Sequence, residues 1–491
     1  MTDTRVDVAI IGGGMVGASL AVALAGTGIS TMLVEGSAPG SKTQPSFDDR
    51  TTALGNASRR IFQALGIWQH IAPEAAAIRT IHVSDAGRFG FARLNAAEQG
   101  IEAFGYVVPN RVIGAALWEK LRGAKDVILR VPARPEQVEI SDRGVTFRVG
   151  DESVSARLVV AADGAHSVVR AAASIEADVE DYDQIAIVAN VAADRPHDGT
   201  AYERFTQSGP LAVLPLHDGS YGVIWTCAPA RAAEVLSFDN NTYLRELQER
   251  FGWRAGRFVR AGTRASYPLK LTRAATTVAA RTVLIGNAAQ ALHPVAGQGF
   301  NLGLRDAAML AEVIVRAGLG VSAGATATAG VGQDPGARAT ASVGANAGPG
   351  AQANASTGQR AGASTDARKH ADANARASAG ARARANTNPS AGASASADDG
   401  VGPAAHVGAD VGSPELLRQF AAWREGDRSG VVRFTDGLVK MFADTRPGAA
   451  ALRNIGLLLF DLSPPAKSAL ARVSAGFAGP TPRLARGLGL L

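Results

Sequence analysis

The 491-residue chain has one cysteine, Cys227. This excludes an internal disulfide, a redox CxxC pair and a cysteine zinc site, and it suits a reducing cytoplasm. No Lys/Arg block with interleaved aromatics occurs, and a formal net charge of +6 is modest for this length. Nucleic acid is therefore not an expected partner. Long apolar runs are scarce as well. Residues 6–29 are apolar and rich in small residues, but their glycines fall where turns form and a second apolar strand follows directly. They read as folded chain, not as a leader or a span. The apolar run at 455–460 is far too short to cross a bilayer. The largest absence is local: residues 320–415 contain no Leu, Ile, Met, Phe, Tyr or Trp. Such a stretch cannot bury enough apolar surface to offset its ordering entropy. Its alanines favour helix, but its recurring glycines, each costing about 1 kcal/mol in a helix, cancel that preference. A disordered insertion between two helices is predicted over 320–415.

What is present is organised around the stretch from Gly286 to Asp306, Gly-Asn-Ala-Ala-Gln-Ala-Leu-His-Pro-Val-Ala-Gly-Gln-Gly-Phe-Asn-Leu-Gly-Leu-Arg-Asp. An apolar run at 282–285 leads in as a buried strand, and a helical apolar period over 302–315 leads out. Pro294, Gly297 and Gly299 lie between them. Glycines let backbone approach a flat ligand, and the helix that follows starts with unpaired N–H groups suited to an anion.

The N-terminus carries a second pattern. Residues 6–11 form an apolar strand, followed by GxGxxG with Gly12, Gly14 and Gly17, a helix over 18–25, and a strand over 31–34 ending in Glu35. This is a dinucleotide-binding βαβ unit: tight turn, backbone approach to a pyrophosphate, close helix packing, and an acid for ribose hydroxyls. Arg50 precedes a helix at 58–65 and is a candidate for the pyrophosphate. Arg111, at the start of the helix over 112–121, invites the same reading. A third pattern is the strand 157–162 running into Asp163-Gly-Ala-His-Ser-Val-Val-Arg170, which fits DGxxSxxR.

Residues 183–271 change character. β-branched and aromatic runs at 185–191, 211–216 and 221–226, separated by turn signals, predict a largely antiparallel sheet with one helix at 241–251. Phe205 and Pro215 are candidates for a substrate surface or plain core. Beyond 416, helices are predicted at 416–423, 431–442 and 452–461. A stripe of Leu470, Val473 and Phe477 beside Lys467 and Arg472 fits either core packing or a membrane surface.

GxGxxG with Glu35, DGxxSxxR and the Gly286–Asp306 stretch together resemble the single-component FAD-dependent aromatic hydroxylases typified by p-hydroxybenzoate hydroxylase. The likeness covers residues 5–315 and resumes near 415. That family's third motif usually begins Gly-Asp-Ala-Ala-His; here Asn287 and Gln290 stand in place of the acid and the histidine. With Leu-His-Pro and Gly-Gln-Gly-Phe-Asn-Leu-Gly, the stretch is similar to the ubiquinone-biosynthesis branch, the 2-polyprenyl-6-methoxyphenol hydroxylases among them. The resemblance implies an α/β fold. A Rossmann-like FAD-binding domain with a mixed sheet would span 1–180 and 276–319. A largely antiparallel substrate domain would span 181–275, with 76–105 as a candidate contributor, and a C-terminal helical region 416–491. It implies FAD as cofactor, NADPH or NADH as co-substrate, and O2 and a prenylated phenol as substrates, with no metal required. Hydroxylation would run through a flavin hydroperoxide. Gly12, Gly14, Gly17, Glu35, Arg50 and Arg111 would hold the ADP half of FAD. Asp163 and Gly164 would touch FAD and serve the reduced nicotinamide. Asn287 would meet the ribityl or phosphate oxygens. Pro294, Gly297, Gln298, Gly299 and Asn301 would line the isoalloxazine. His293 and the carbonyl of Pro294 are the nearest candidates for proton handling. A cytoplasmic protein is implied, with peripheral contact at the inner face of the membrane and a quinone-biosynthesis complex as partner. Two alternatives stay open: an FAD monooxygenase of another apolar or aromatic substrate, and a non-catalytic flavoprotein of a quinone-synthesis assembly.

Overall fold

The strand Asp3–Ile11 is the axis of the first sheet. Parallel neighbours on its two sides are Glu152–Ala161 and Thr31–Val34. The parallel core is completed by Thr282–Leu284 beyond the first and Val127–Arg130 beyond the second. Antiparallel strands Val278–Ala279, Gly144–Val149 and Glu136–Ser141 extend it to eight. Val8, Ala9 and Ile10 are fully buried, which is why this run is continuously apolar: both sheet faces are covered. The structure is a computed structural model that describes residues 3–41, 50–293, 297–319, 410–443, 446, 448–477 and 479–491.

The second sheet has nine strands in the order Gln290–Ala291, Ala265–Ala274, Ala177–Ala193, Tyr221–Cys227, Gly209–Pro215, Thr200–Thr206, Thr80–Asp85, Phe91–Asn95, with Phe258–Ala261 paired beside Ala177–Ala193. All its pairings are antiparallel except Thr200–Thr206 with Thr80–Asp85. Alternation of side chains sorts its residues. Ile187, Leu211, Val213, Val223 and Trp225 face the helices Pro229–Ser237 and Asn240–Phe251 in one core. Ala186, Val188, Ala212, Leu214 and Ile224 face the other way, into a cavity. The expected mixed α/β fold is present, with differences in detail. Two helices cover the second sheet where one is expected, because Pro229 starts an additional helix over an alanine-rich segment with few apolar anchors.

The C-terminal region is helical: Pro414–Ala443, Ala449–Asp461 and Pro464–Ser474. The first is one continuous helix where the sequence suggests two, because charged residues in the polar stretch between its apolar segments are paired inside the protein. Arg424 and Asp427 lie in that stretch; Arg424 is fully buried and Asp427 is buried. Arg424 donates to Asp306 Oδ1 and Asp427 Oδ2, each at 2.6 Å, and Arg305 pairs with Asp427 at 2.8 Å. This network ties the helix Gln298–Gly318 to the C-terminal region. Residues 320–409 of the expected insertion lie outside the described residues. Its last residues are folded chain: Val411 is buried in the main core, the Asp410 carboxylate pairs with Arg281, and Pro414 and Glu415 begin the long helix. Charge partners and one valine anchor this end despite the lack of large apolar residues.

Candidate functional site

One cavity of about 1360 Å³ runs along the first sheet's C-terminal edge and under the second sheet. Pockets for single small ligands usually measure about 300–1,000 Å³, so this one has room for a dinucleotide and a second molecule. Gly12, Gly14, Glu35, Arg50, Asp163, Gly164, Asn287, Gly297, Gln298, Gly299 and Asn301 line it, as do His293 and Phe205. Gly17, Arg111 and Pro215 are not among the lining residues, and Pro294 lies outside the described residues.

The polar end is a cradle of backbone. Gly12 has φ +105°, and a Cβ there would sit 2.4 Å from the Ala162 carbonyl oxygen. A Cβ on Gly17 would lie 2.0 Å from the Gly12 oxygen, so Gly17 serves packing behind the turn. The helix Met15–Leu24 starts at this turn with no side-chain cap and no acid in its first turn. Its free N–H groups and positive end suit a phosphate. Glu35 is fixed by Gly13 N–H donating to Oε2 at 2.6 Å and Ser37 N–H donating to Oε1 at 2.8 Å. The Arg50 guanidinium lies 4.5 Å over the Tyr267 ring.

Asp163 supplies the test of cofactor fit. Its Oδ2 accepts from Val168 N–H at 2.8 Å. Its Oδ1 is buried with no partner among the described residues, and burial pushes the carboxyl's pKa up. An unsatisfied buried acceptor is costly, so this oxygen calls for a donor such as a ribityl hydroxyl. The rest of DGxxSxxR is a clamp. Ser167 Oγ accepts from Arg170 N–H at 3.0 Å, and the Arg170 guanidinium donates to Ala288 O at 2.9 Å and Ala165 O at 2.7 Å. The second motif is thereby locked to the third.

Three predicted residues turn out differently from a simple ligand role. Asn301 uses its whole carboxamide within the protein. Oδ1 accepts from Gly55 N–H and Ser58 Oγ, and Nδ2 donates to Ala53 O and Gly297 O. It holds the strand Thr51–Gly55 against the Gly297 turn. Arg111 makes a two-pronged ion pair with Glu74, because its helix start faces Ala72–Glu74. Pro215 shares its strand face with Leu211 and Val213, so alternation points it away from the cavity that Leu214 lines.

Gln290, which stands where the family has histidine, is locked rather than reactive. Nε2 donates to Asp306 Oδ2 at 3.0 Å, and Oε1 accepts from Arg428 at 2.9 Å. His293 is buried at the cavity wall, 3.3 Å from Gln184 Oε1 and edge-on to the Tyr182 ring. Burial pushes its pKa down to about 4, so the imidazole is neutral near pH 7.

The other end of the cavity is apolar, and sequence reasoning missed most of it. The hairpin of Thr80–Asp85 and Phe91–Asn95 contributes Ile81, Val83, Ala92 and Leu94. The C-terminal helices contribute Phe434, Leu438, Phe442, Leu457, Phe460 and Leu470. Phe205 stacks face to face on Phe442 with centroids 3.5 Å apart. The only available signal was the period-2 pattern of the hairpin and the helical apolar stripes, which read equally as core. Two residues of the stripe turn inward: Leu470 lines the cavity, and Phe477 is half-buried beneath the Arg60 guanidinium.

Comparison with known proteins agrees with this geometry. The FAD binding domain family model matches residues 5–321. The chain is 38% identical over 328 residues to ubiquinone hydroxylase UbiL of Rhodospirillum rubrum, covering 66% of this chain and 76% of that one. It is 33% identical over 323 residues to 3-demethoxyubiquinol 3-hydroxylase of Escherichia coli K12, covering 65% and 81%. The crystal structure of p-nitrophenol 4-monooxygenase PnpA from Pseudomonas putida superposes with TM-score 0.66 at 17% identity, over 98% of this chain and 99% of that one, a likeness of fold. The chain belongs to the FAD binding domain family, among its FAD-dependent aromatic monooxygenases.

Proposed function

We propose that this protein hydroxylates the aromatic ring of a polyprenylated phenol in ubiquinone biosynthesis, with FAD, NAD(P)H and O2. The observation that carries the reading is the apolar half of the cavity, which continues from the flavin cradle to the C-terminal helices. A small phenol has no use for such a length of aliphatic wall, whereas a prenyl tail does. The names of the relatives agree with it. Bound FAD supplies the redox chemistry, taking two electrons from NAD(P)H and activating O2.

The chain's own residues bind, orient and exclude water. Gly12, Gly14 and the uncapped start of Met15–Leu24 hold the pyrophosphate, with Arg50 beside it. Glu35 takes ribose hydroxyls, and Asp163 Oδ1 accepts from the ribityl chain. Asn287, neutral, adds a hydrogen bond without repelling phosphate. The helix Gln298–Gly318 begins with no side-chain cap and no acid in its first turn. Its positive end favours negative charge on a reduced ring. Neutral His293 exchanges hydrogen bonds with a phenol, not a full positive charge. The Phe205–Phe442 stack and the aliphatic wall keep water from the ring. The protein works at the membrane surface, where its substrate resides, and within a quinone-biosynthesis assembly. Among the described residues no helix is long and apolar enough to cross a membrane.

The test is NAD(P)H oxidation by the purified, FAD-loaded chain with a prenylated phenol, followed by mass spectrometry. The expected outcome is faster oxidation and a product heavier by one oxygen. An unchanged oxidation rate across prenylphenols, with FAD bound, would overturn the reading.

A further inference from the structure

The helix Ala449–Asp461 is built inside out. Its polar residues face the protein. Asn454 is buried and its Oδ1 accepts from Gly90 N–H at 2.7 Å; Arg453 lies 3.5 Å from the Asp85 carboxylate; Asp461 Oδ1 accepts from Arg93 N–H at 2.8 Å. These bonds pin the helix to the tip of the Thr80–Asp85 and Phe91–Asn95 hairpin. Its outward face is apolar. Leu452, Leu459 and Leu462 are 73%, 62% and 70% exposed, and Ile455 and Leu458 are exposed between them. The other exposed positions on this arc are the small residues Ala451 and Gly456. At 100° per residue these positions form one continuous face with no polar side chain. An exposed apolar face of this kind marks an interaction surface.

We infer that this face lies on a lipid bilayer and that the cavity opens there to admit the substrate's tail. The inference rests on the prenylphenol reading above. Two observations select a bilayer over a protein. Leu452 and Gly456 belong both to the outer face and to the cavity lining, and the exposed Met441 of the preceding helix lines the cavity as well. A protein partner seated here would cover that opening, whereas a bilayer is the reservoir from which a prenyl chain enters it. The face is also small. The exposed parts of its five large apolar side chains come to roughly 500 Å², short of the roughly 800 Å² per partner that a stable complex buries. Arg446, just before the helix in sequence, and Arg472, on the following helix, are exposed, and the chain carries a net charge of +6. Both suit an anionic headgroup layer.

The experiment is flotation of the full-length, FAD-loaded protein with phosphatidylglycerol/phosphatidylethanolamine vesicles that contain no phenol. Ile455→Glu combined with Leu459→Glu changes the outer face at two positions that do not line the cavity. Wild type is expected to float, and the double variant to partition at least about tenfold less, since two large apolar side chains are lost from the interface. The variant should keep its FAD and its turnover of a short-chain, water-soluble phenol. A second variant, Ile455→Trp, should add a Trp whose emission shifts to the blue on vesicles and is quenched by brominated lipid. Wild type remaining in the aqueous fraction, a double variant floating like wild type, or an Ile455→Trp signal unchanged by lipid would overturn the inference. So would light scattering that shows a wild-type dimer which the double variant splits. Flotation needs no turnover, so its failure is distinct from failure of the phenol assay.

Discussion

The two ends of the cavity are built by different means. The polar end is made of backbone and a few fixed side chains: the Gly12 turn, the bare helix start, Glu35 on two N–H donors and Asp163 on the Val168 N–H. Each comes from a short continuous motif. The apolar end is made of side chains from a hairpin at 80–95, a sheet at 186–224 and helices beyond 430. The first kind of site demands particular residues at fixed spacings. The second asks only for apolar volume, which many sequences supply.

This contrast can be broken at either end. Asp163→Ala removes the unpartnered acceptor and the bond to Val168. FAD affinity should fall roughly tenfold to a hundredfold, the worth of a hydrogen bond to a charged group, as measured by flavin fluorescence titration. The apolar end should be untouched, so the Michaelis constant for the phenol at saturating FAD should hold. Phe442→Ala should do the reverse. FAD content stays, the Michaelis constant for a long-tailed phenol rises about tenfold through lost apolar contact, and more hydrogen peroxide escapes as water enters. Equal effects of both variants on FAD and on substrate would show that the two ends are one site energetically.

The smallest effect concerns pH at the junction. Burial holds the folded-state pKa of His293 at about 4, against about 6.5 when unfolded. The unfolded chain therefore takes up a proton between those values and the folded chain does not. Stability is complete above pH 6.5 and is lost as pH falls towards 4. His82 is depressed to about 4 as well, mainly by burial, and contributes in the same direction. His293→Asn should reduce the drop in urea-unfolding free energy between pH 7 and pH 5.5 by about 1 kcal/mol. An identical drop would mean that the cavity wall opens to water around His293.

Much of the cradle was legible because it is local. A strand, three glycines, a helix and an acid within thirty-odd residues leave few other structures. Arg111 shows the limit: its place at a helix start suggests phosphate, but Glu74, distant in sequence, takes the guanidinium. Asn301 shows another, since its position beside the Gly297 turn is evident and its four internal bonds are not. Gln290 stands in the sequence where the family has histidine, and its neighbours do not say what it does. In the fold it is a strut between Asp306 and Arg428, two residues whose neighbourhood depends on a helix more than a hundred positions away.

By itself the sequence determined the dinucleotide-binding unit, the sheet-rich second layer, the helical C-terminus and the membership of a flavin family. These follow from residue type and spacing within short windows, where steric and hydrogen-bonding constraints are strict. Only the tertiary structure decided which apolar stripes became cavity wall, which became core and which faced outward. The helix at 449–461 is the plainest case: Leu452, Leu458 and Leu459 look like core in the sequence, and they lie outside because Asn454, Arg453 and Asp461 are bound within. Hydrophobicity fixes how much surface wants to leave water, and it has no direction of its own. The direction comes from polar contacts made with chain hundreds of residues away.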